Sequence, residues 1–236
     1  MGLADLHMHT IYSYDGTASV PAVLARAKQI GLDVIAITDH DEIKGALKAF
    51  DLAPEFGIEV IPGIEITTAE GDLLALFVTE KIEPGRPLIE TILKVGEAGG
   101  ICIAPHPMAR GMGMKSLSAA SIAQALCHPD TSRVLIGIET YNATALDRES
   151  NQHAQALVAE YPGMAQVGNS DAHTLKMIGL GATEFPGHTA ADLLDALWVG
   201  ATDIRQGIQL SSAQILSNWA LNFVISATSR VAVAYS

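Results

Sequence analysis

Short apolar runs alternate along the chain with longer segments of helical period. Residues 4–6, 34–38, 59–62, 73–78, 101–104, 134–138, 165–167 and 180–183 are compact apolar stretches bounded by polar or Gly-rich turns, the pattern of buried strands. Ser19 followed by Pro21 marks a helix start, and Val23, Leu24, Ala27 and Ile30 recur at helical spacing until Gly31 stops the run. Further helical patterns cover 42–53, 88–98, 118–126, 146–160 and 190–199. Strand and helix therefore alternate through most of the chain, which predicts an α/β fold, in its simplest form parallel strands wrapped by helices.

No Pro/Ser-rich linker or repeat divides the sequence. The expected layout is a catalytic-type domain over residues 1–210 and a helical tail over 211–236, packed on that domain or on a partner subunit through Leu216, Trp219, Leu221 and Phe223. Ser217, Asn218, Asn222, Ser226, Thr228, Ser229 and Arg230 interrupt the apolar tail, which argues against a membrane span. Apolar residues make up 49% of the chain but aromatic ones only 5%, so the core must rest on Ala, Leu, Ile and Val. With a net charge of −12, the chain has no general affinity for nucleic-acid backbone. Cys102 and Cys127 form no CxxC pair, and the N-terminus reaches Asp5, His7 and His9 without room for a secretory signal. A reducing, cytoplasmic setting is the expectation.

Composition says nothing of chemistry; the positions of the histidines do. His7 and His9 are two apart on an extended segment, so both imidazoles reach one side. His40, Glu65, His106 and Asp171 each follow a putative strand, and His173 follows Asp171 by two. Five of the eight histidines thus fall where a strand opens into a loop. In a closed barrel those ends converge on one face, whereas an open sheet scatters them, so a barrel is favoured. Mixed imidazole and carboxylate donors suit Zn²⁺, Mn²⁺ or Fe²⁺ better than Ca²⁺, and point to a multinuclear metal site. No Ser or Cys has the context of a catalytic triad. Glu139 and Asn142 follow another strand, either lining the pocket or closing strand-end hydrogen bonds. Arg110 is the nearest basic residue to the ligand loops. His128, His153 and His188 lack partner spacing.

The segments Asp5-Leu6-His7-Met8-His9-Thr10, Ala36-Ile37-Thr38-Asp39-His40-Asp41, Pro62-Gly63-Ile64-Glu65, Ala104-Pro105-His106-Pro107 and Gly168-Asn169-Ser170-Asp171-Ala172-His173 resemble, in order, motifs of the PHP (polymerase and histidinol phosphatase) superfamily of metal-dependent phosphoesterases. The resemblance implies a distorted seven-stranded (β/α)7 barrel with two to three divalent ions (Mn, Fe or Zn) at the strand ends. It implies that His7, His9, Glu65 and Asp171 hold one ion, that Glu65 bridges to a second bound by His106, and that Asp15, His40 and His173 hold a third. Asp171 and His173 are expected to carry the catalytic role, and Arg110 and Asn142 to contact substrate, an oxygen of a phosphate in the case of Arg110. The strand after Glu65 reads Gly71-Asp72-Leu73-Leu74-Ala75-Leu76, without the additional histidine that members with a full second site often offer. The implied reaction is hydrolysis of a small phosphomonoester, such as a nucleotide (bis)phosphate or a short oligonucleotide end, by metal-activated hydroxide. Long nucleic acid and membrane are not expected partners. Two other readings stand beside it: a non-catalytic, metal-stabilised module, and a C–N bond hydrolase of amidohydrolase-like type.

Overall fold

A computed structural model of the chain describes residues 1–111, 114–208, 210–218, 220 and 224. Its strands are β1 (Gly2–Asp5), β2 (Val34–Ile37), β3 (Glu59–Thr67), β4 (Asp72–Leu76), β5 (Ile101–Ala104), β6 (Leu135–Asn142), β7 (Ala165–Asn169), β8 (Gly181–Phe185) and β9 (Asp203–Gln206). Between them run α1 (Val20–Gln29), α2 (Lys44–Phe56), α3 (Leu88–Glu97), α4 (Ala119–Cys127), α5 (Arg148–Ala159) and α6 (Ala190–Trp198). The α/β class holds. All the strands join one sheet in the order β7-β6-β5-β4-β3-β2-β1-β8-β9.

This sheet is mixed, not parallel throughout. β4 pairs antiparallel with both β3 and β5, and β8 antiparallel with both β1 and β9. The reason for β4 is the length of its connection: residues 68–71 are too few for a crossover, which needs a dozen or more, so the chain must turn back as a hairpin. Thr68 makes that turn, its Oγ1 accepting from the amides of Glu70 and Gly71. Strand β9 escapes the apolar pattern because Asp203-Ile204-Arg205-Gln206 lies on the surface. Helix α2 runs past the expected stop at Ala53 through Pro54 and ends at Gly57, whose φ of 61° is the left-handed conformation that glycine adopts without strain.

Alternation sorts the core into two layers. Inside the curled sheet, Ala4, Leu6, Val34, Ala36, Ile61, Leu74 and Leu76 pack with Leu193 and Leu197 of α6, which closes the floor. Outside it, Ile35, Ile37, Ile64 and Ile66 pack against Val23, Leu24 and Ala46 of the flanking helices. The sheet curls until β7 meets β1 and β8, and side chains close the gap. Thr183 Oγ1 donates to the Gly168 carbonyl at 2.9 Å and accepts from its amide at 3.1 Å, while Asn169 Oδ1 accepts from the Leu6 amide at 2.9 Å. Beyond the strands, a single parallel bridge joins Met8 to Ala172. The result is a nearly closed barrel, as expected, with β8 and β9, an antiparallel pair joined through α6, beside its seven strands β1–β7.

Helix is present at 212–218, where Ile215 is buried and Leu216 is 40% exposed. Trp219, Leu221 and Phe223, expected to pack on the barrel, lie outside the described residues. Among the described residues no helix is long and apolar enough to cross a membrane.

Candidate metal centre

Strands β1, β2, β3, β5 and β7 deliver the histidines and acids to the same end of the barrel. Glu65 lies within β3 and not after it, because that strand continues to Thr67, and an isolated bridge from His40 to Glu65 extends the pairing with β2. Glu65 is 1% exposed and central. Its Oε2 lies 3.1 Å from His7 Nε2, 3.3 Å from His9 Nε2 and 3.2 Å from His40 Nδ1, and its Oε1 lies 3.1 Å from His106 Nε2. Asp171 Oδ1 meets His9 Nε2 at 3.2 Å and His7 Nε2 at 3.4 Å. On the opposite flank, Asp15 Oδ2 lies 3.2 Å from His173 Nε2 and 3.4 Å from His40 Nε2. His7, His9, Asp15, His40, Glu65, His106, Asp171 and His173 thus share one cluster.

Donor atoms within 4.8 Å of one another fall into four groups: His9–Asp15–His40–His173, His7–Glu65–His106, His7–His9–Asp171 and His40–Glu65–Asp72. The residues fit divalent cations on a further count. His9 Nδ1 is buried with no hydrogen-bond partner, a cost that a buried polar atom normally avoids and that a ligated ion would remove.

Burial pushes the Glu65 carboxyl up, but the charges on His40 and His7 outweigh it and hold the group well below the usual range. Asp171 behaves alike: burial is offset by the His7 charge and the hydrogen bond from His9. His40 loses by burial and gains more from Glu65 and Asp15, reaching about 10. His9 goes the other way, to about 4, because burial is reinforced by the charges on His173 and His40. Its imidazole is therefore neutral, the form that offers a lone pair.

A second layer holds the first, and here the sequence reading fell short. Glu139, within β6, is fully buried. Its Oε1 accepts from His7 Nδ1 at 3.1 Å and Asn169 Nδ2 at 2.8 Å, and its Oε2 from the His106 amide at 2.7 Å and Asn142 Nδ2 at 2.9 Å. It fixes the His7 ring with Nε2 facing the cluster, as outer-layer carboxylates do for ligating histidines. Asn142 also donates to Asp171 Oδ2 at 3.1 Å, so both of its amide hydrogens are spent on carboxylates and the expected substrate contact is not left to them. Asp39 likewise receives the Thr10 amide at 2.6 Å and hydroxyl at 2.8 Å, anchoring the segment that carries His40. The sequence offered no role for Asp39, and left Glu139 between lining the pocket and closing a strand-end hydrogen bond. Asp41, His106 and Asp171 take positive φ values of 53°, 28° and 51°, strained backbone of the kind that gathers at functional sites.

The cluster floors a cavity of about 380 Å³. Tyr14, stacked on His40 at 5.1 Å, stands at one side, and Met114, Leu146, Met177, Ile215 and Leu216 form an apolar wall. No Lys or Arg is among the described lining residues. Arg110 is exposed, next to the lining residue Gly111. His153 is exposed on α5, His128 caps α4, and His188 pairs with Asp33 at 3.1 Å, all apart from the cluster.

The chain is 37% identical over 173 residues to an uncharacterised protein of Methanocaldococcus jannaschii, an alignment covering 69% of this chain and 95% of that one. A 5'-3' exoribonuclease of Haemophilus influenzae is 45% identical over 64 residues, 27% of this chain and 23% of its own length. An error-prone DNA polymerase of Symbiobacterium thermophilum is 35% identical over 80 residues, only 7% of that protein. Among solved structures, a two-domain protein from Bacteroides vulgatus described as containing a predicted PHP-like metal-dependent phosphoesterase superposes with a TM-score of 0.66 at 19% identity, over 87% of this chain and 64% of that one. The model of the PHP-associated family matches residues 148–202, and that of the PHP domain matches residues 5–174, the span that carries all eight clustered side chains. With the barrel and cluster described above, this match places the chain in the PHP domain family.

Proposed function

We propose that the protein is a metal-dependent phosphoesterase acting on a small phosphomonoester whose leaving group is a nucleoside or another flat, largely apolar group. The observation that carries this reading is the pairing of an imidazole–carboxylate cluster with an apolar-walled cavity that has no lysine or arginine among its described lining residues. A phosphoryl group in such a cavity has no guanidinium or ammonium to neutralise it. Divalent cations, if held by His7, His9, Glu65 and Asp171 and their neighbours in the cluster, would supply that charge and would lower the pKa of a bound water toward neutrality.

The chain's own residues supply the rest. Glu65, Asp171 and Asp15 hold negative charge at fixed points, and Glu139 keeps Nε2 of His7 aimed at them. His173, with Nδ1 donating to the Asp171 carbonyl at 2.9 Å, directs Nε2 to Asp15 and into the cavity. We assign Asp171 and His173 to proton handling beside the phosphoryl group. Tyr14, 63% exposed, offers a ring face to a base. Arg110 lies at the rim, where a second phosphate or flanking nucleotide would emerge. The exoribonuclease and polymerase relatives, by their names, favour a nucleotide over a sugar phosphate.

Phosphate release with Mn²⁺ supplied is the direct test, across nucleoside monophosphates, 3′,5′-bisphosphates, 5′-phosphorylated dinucleotides and sugar phosphates. Nucleotide substrates are expected to turn over fastest, and Tyr14→Ala to raise KM for them more than for sugar phosphates. Cleavage of amides with no phosphate ester turned over would overturn the reaction class; degradation of long duplex DNA in preference to small esters would overturn the substrate class.

A further inference from the structure

Antiparallel pairing of β3 with β4 sets Thr67 opposite Asp72 and Glu65 opposite Leu74. Residues directly opposite on such a ladder project to the same face, and positions two apart share it. Asp72 is thereby on the inner face of the barrel, in line with Leu74 and Leu76 and one step nearer the mouth. Because β4 runs against its neighbours, its first residue, not its last, arrives at the catalytic end. The backbone there is pinned: the Asp72 amide donates to the Lys115 carbonyl at 2.6 Å.

The side chain is not satisfied in the same way. Asp72 is 2% exposed, and its Oδ1 is buried with no hydrogen-bond partner. A carboxylate oxygen left so is costly unless a cation or a proton completes it. The Thr67 hydroxyl stands beside this carboxyl, and an atom of Asp72 also lies within 4.8 Å of ligand atoms of both His40 and Glu65. His40 holds its Nδ1 3.2 Å from Glu65 Oε2 and its Nε2 3.4 Å from Asp15 Oδ2.

We infer that Asp72 is a metal ligand, forming with Glu65 and His40 a cation subsite on the β4 side of the cluster. This rests on the metal-dependent reading above, and it goes beyond it by giving β4 a ligand although that strand carries no histidine. Two carboxylate oxygens and one nitrogen make the subsite more oxygen-rich than the His7–His9–Asp171 group, which favours Mn²⁺ there over softer ions. A neutral imidazole has one lone pair, so His40 can serve this subsite through Nδ1 or the Asp15 side through Nε2, and Asp72 supplies the anionic oxygen that keeps the former competitive.

The experiment is metal counting on the full-length protein. Wild type and Asp72→Asn, which preserves shape and removes the charge, are stripped with chelator, reloaded with excess Mn²⁺ or Zn²⁺, desalted and analysed by inductively coupled plasma mass spectrometry. The variant is expected to carry about one Mn²⁺ fewer per chain and to keep the remainder. Equal stoichiometry and equal affinity in the two proteins would overturn the assignment while leaving the metal-dependent reading intact. No ion bound by wild type would overturn that reading itself. Anomalous diffraction from Mn²⁺-loaded wild-type crystals decides the matter without a variant: an ion peak at coordination distance from an Asp72 oxygen is expected, and a peak at His7, His9 and Asp171 with none at Asp72 refutes the subsite.

Discussion

Replacing Glu139 by Gln tests whether the second layer governs the first. The carboxylate accepts four hydrogen bonds, two on each oxygen. Gln keeps the volume but turns one oxygen into an NH₂ group, which then faces two donors whichever way the amide lies. Neither asparagine can flip to compensate: Asn142 Oδ1 already accepts from the amides of Thr144 and Ala145, and Asn169 Oδ1 from Leu6. Two buried donors are left unmatched, at about 1–3 kcal/mol each. The chelated protein should therefore lose about 2–6 kcal/mol, read as a lower midpoint in urea at unchanged m-value. Since the His7 ring also loses the anion that orients it, metal affinity should fall about 10–100-fold. A fluorescent chelator in competition with the protein measures that change. Wild-type stability with wild-type metal affinity would refute the role given to Glu139.

Chelation should leave far-ultraviolet circular dichroism nearly unchanged, because both core layers are built from apolar side chains alone. Reloading to about 100 times the dissociation constant should add about 2.7 kcal/mol, seen as a rise in Tm. His7→Ala or His40→Ala should reduce activity at least about 100-fold, whereas His153→Ala, at an exposed site, should leave kcat/KM within assay error. Gly45→Ala should lower Tm, although the same change in an exposed helix gains about 1 kcal/mol. Its added Cβ would stand 2.0 Å from Asp39 Oδ2, and such overpacking typically costs about 1–3 kcal/mol. A raised Tm would show that Asp39 and its hold on Thr10 can move freely.

The sequence made much of the first layer legible because several candidate ligands follow a strand whose apolar run is unmistakable: His40 after Val34-Ile35-Ala36-Ile37, His106 after Ile101-Cys102-Ile103-Ala104. Convergence of strand ends in a barrel then brings together residues as distant as His9 and Asp171. Strand direction was less legible. A short turn over 68–71 forces a hairpin, but the apolar run at 73–78 reads the same in either direction, so the antiparallel β4 and the inward place of Asp72 were hidden. Glu139 was visible as a strand-end acid, yet its part depends on four donors, from His7, His106, Asn142 and Asn169, that only the closed sheet assembles. Strand β9 has no buried face to leave a trace in the pattern.

Closure of the barrel between β7 and β1 by side chains, in place of a continuous ladder, has a kinetic consequence. Amides along that gap should exchange with solvent by a sub-global opening that leaves the rest of the sheet intact. His7 and His9 stand on one bank and Asp171 on the other, and His9 and Asp171 are 162 positions apart in sequence. A cation shared by those three would bind only the shut form, and so would slow this opening as its occupancy rises. The ion then acts as a reversible clasp, and deuterium uptake at Leu6 and Gly168 becomes a gauge of metal loading that needs no substrate.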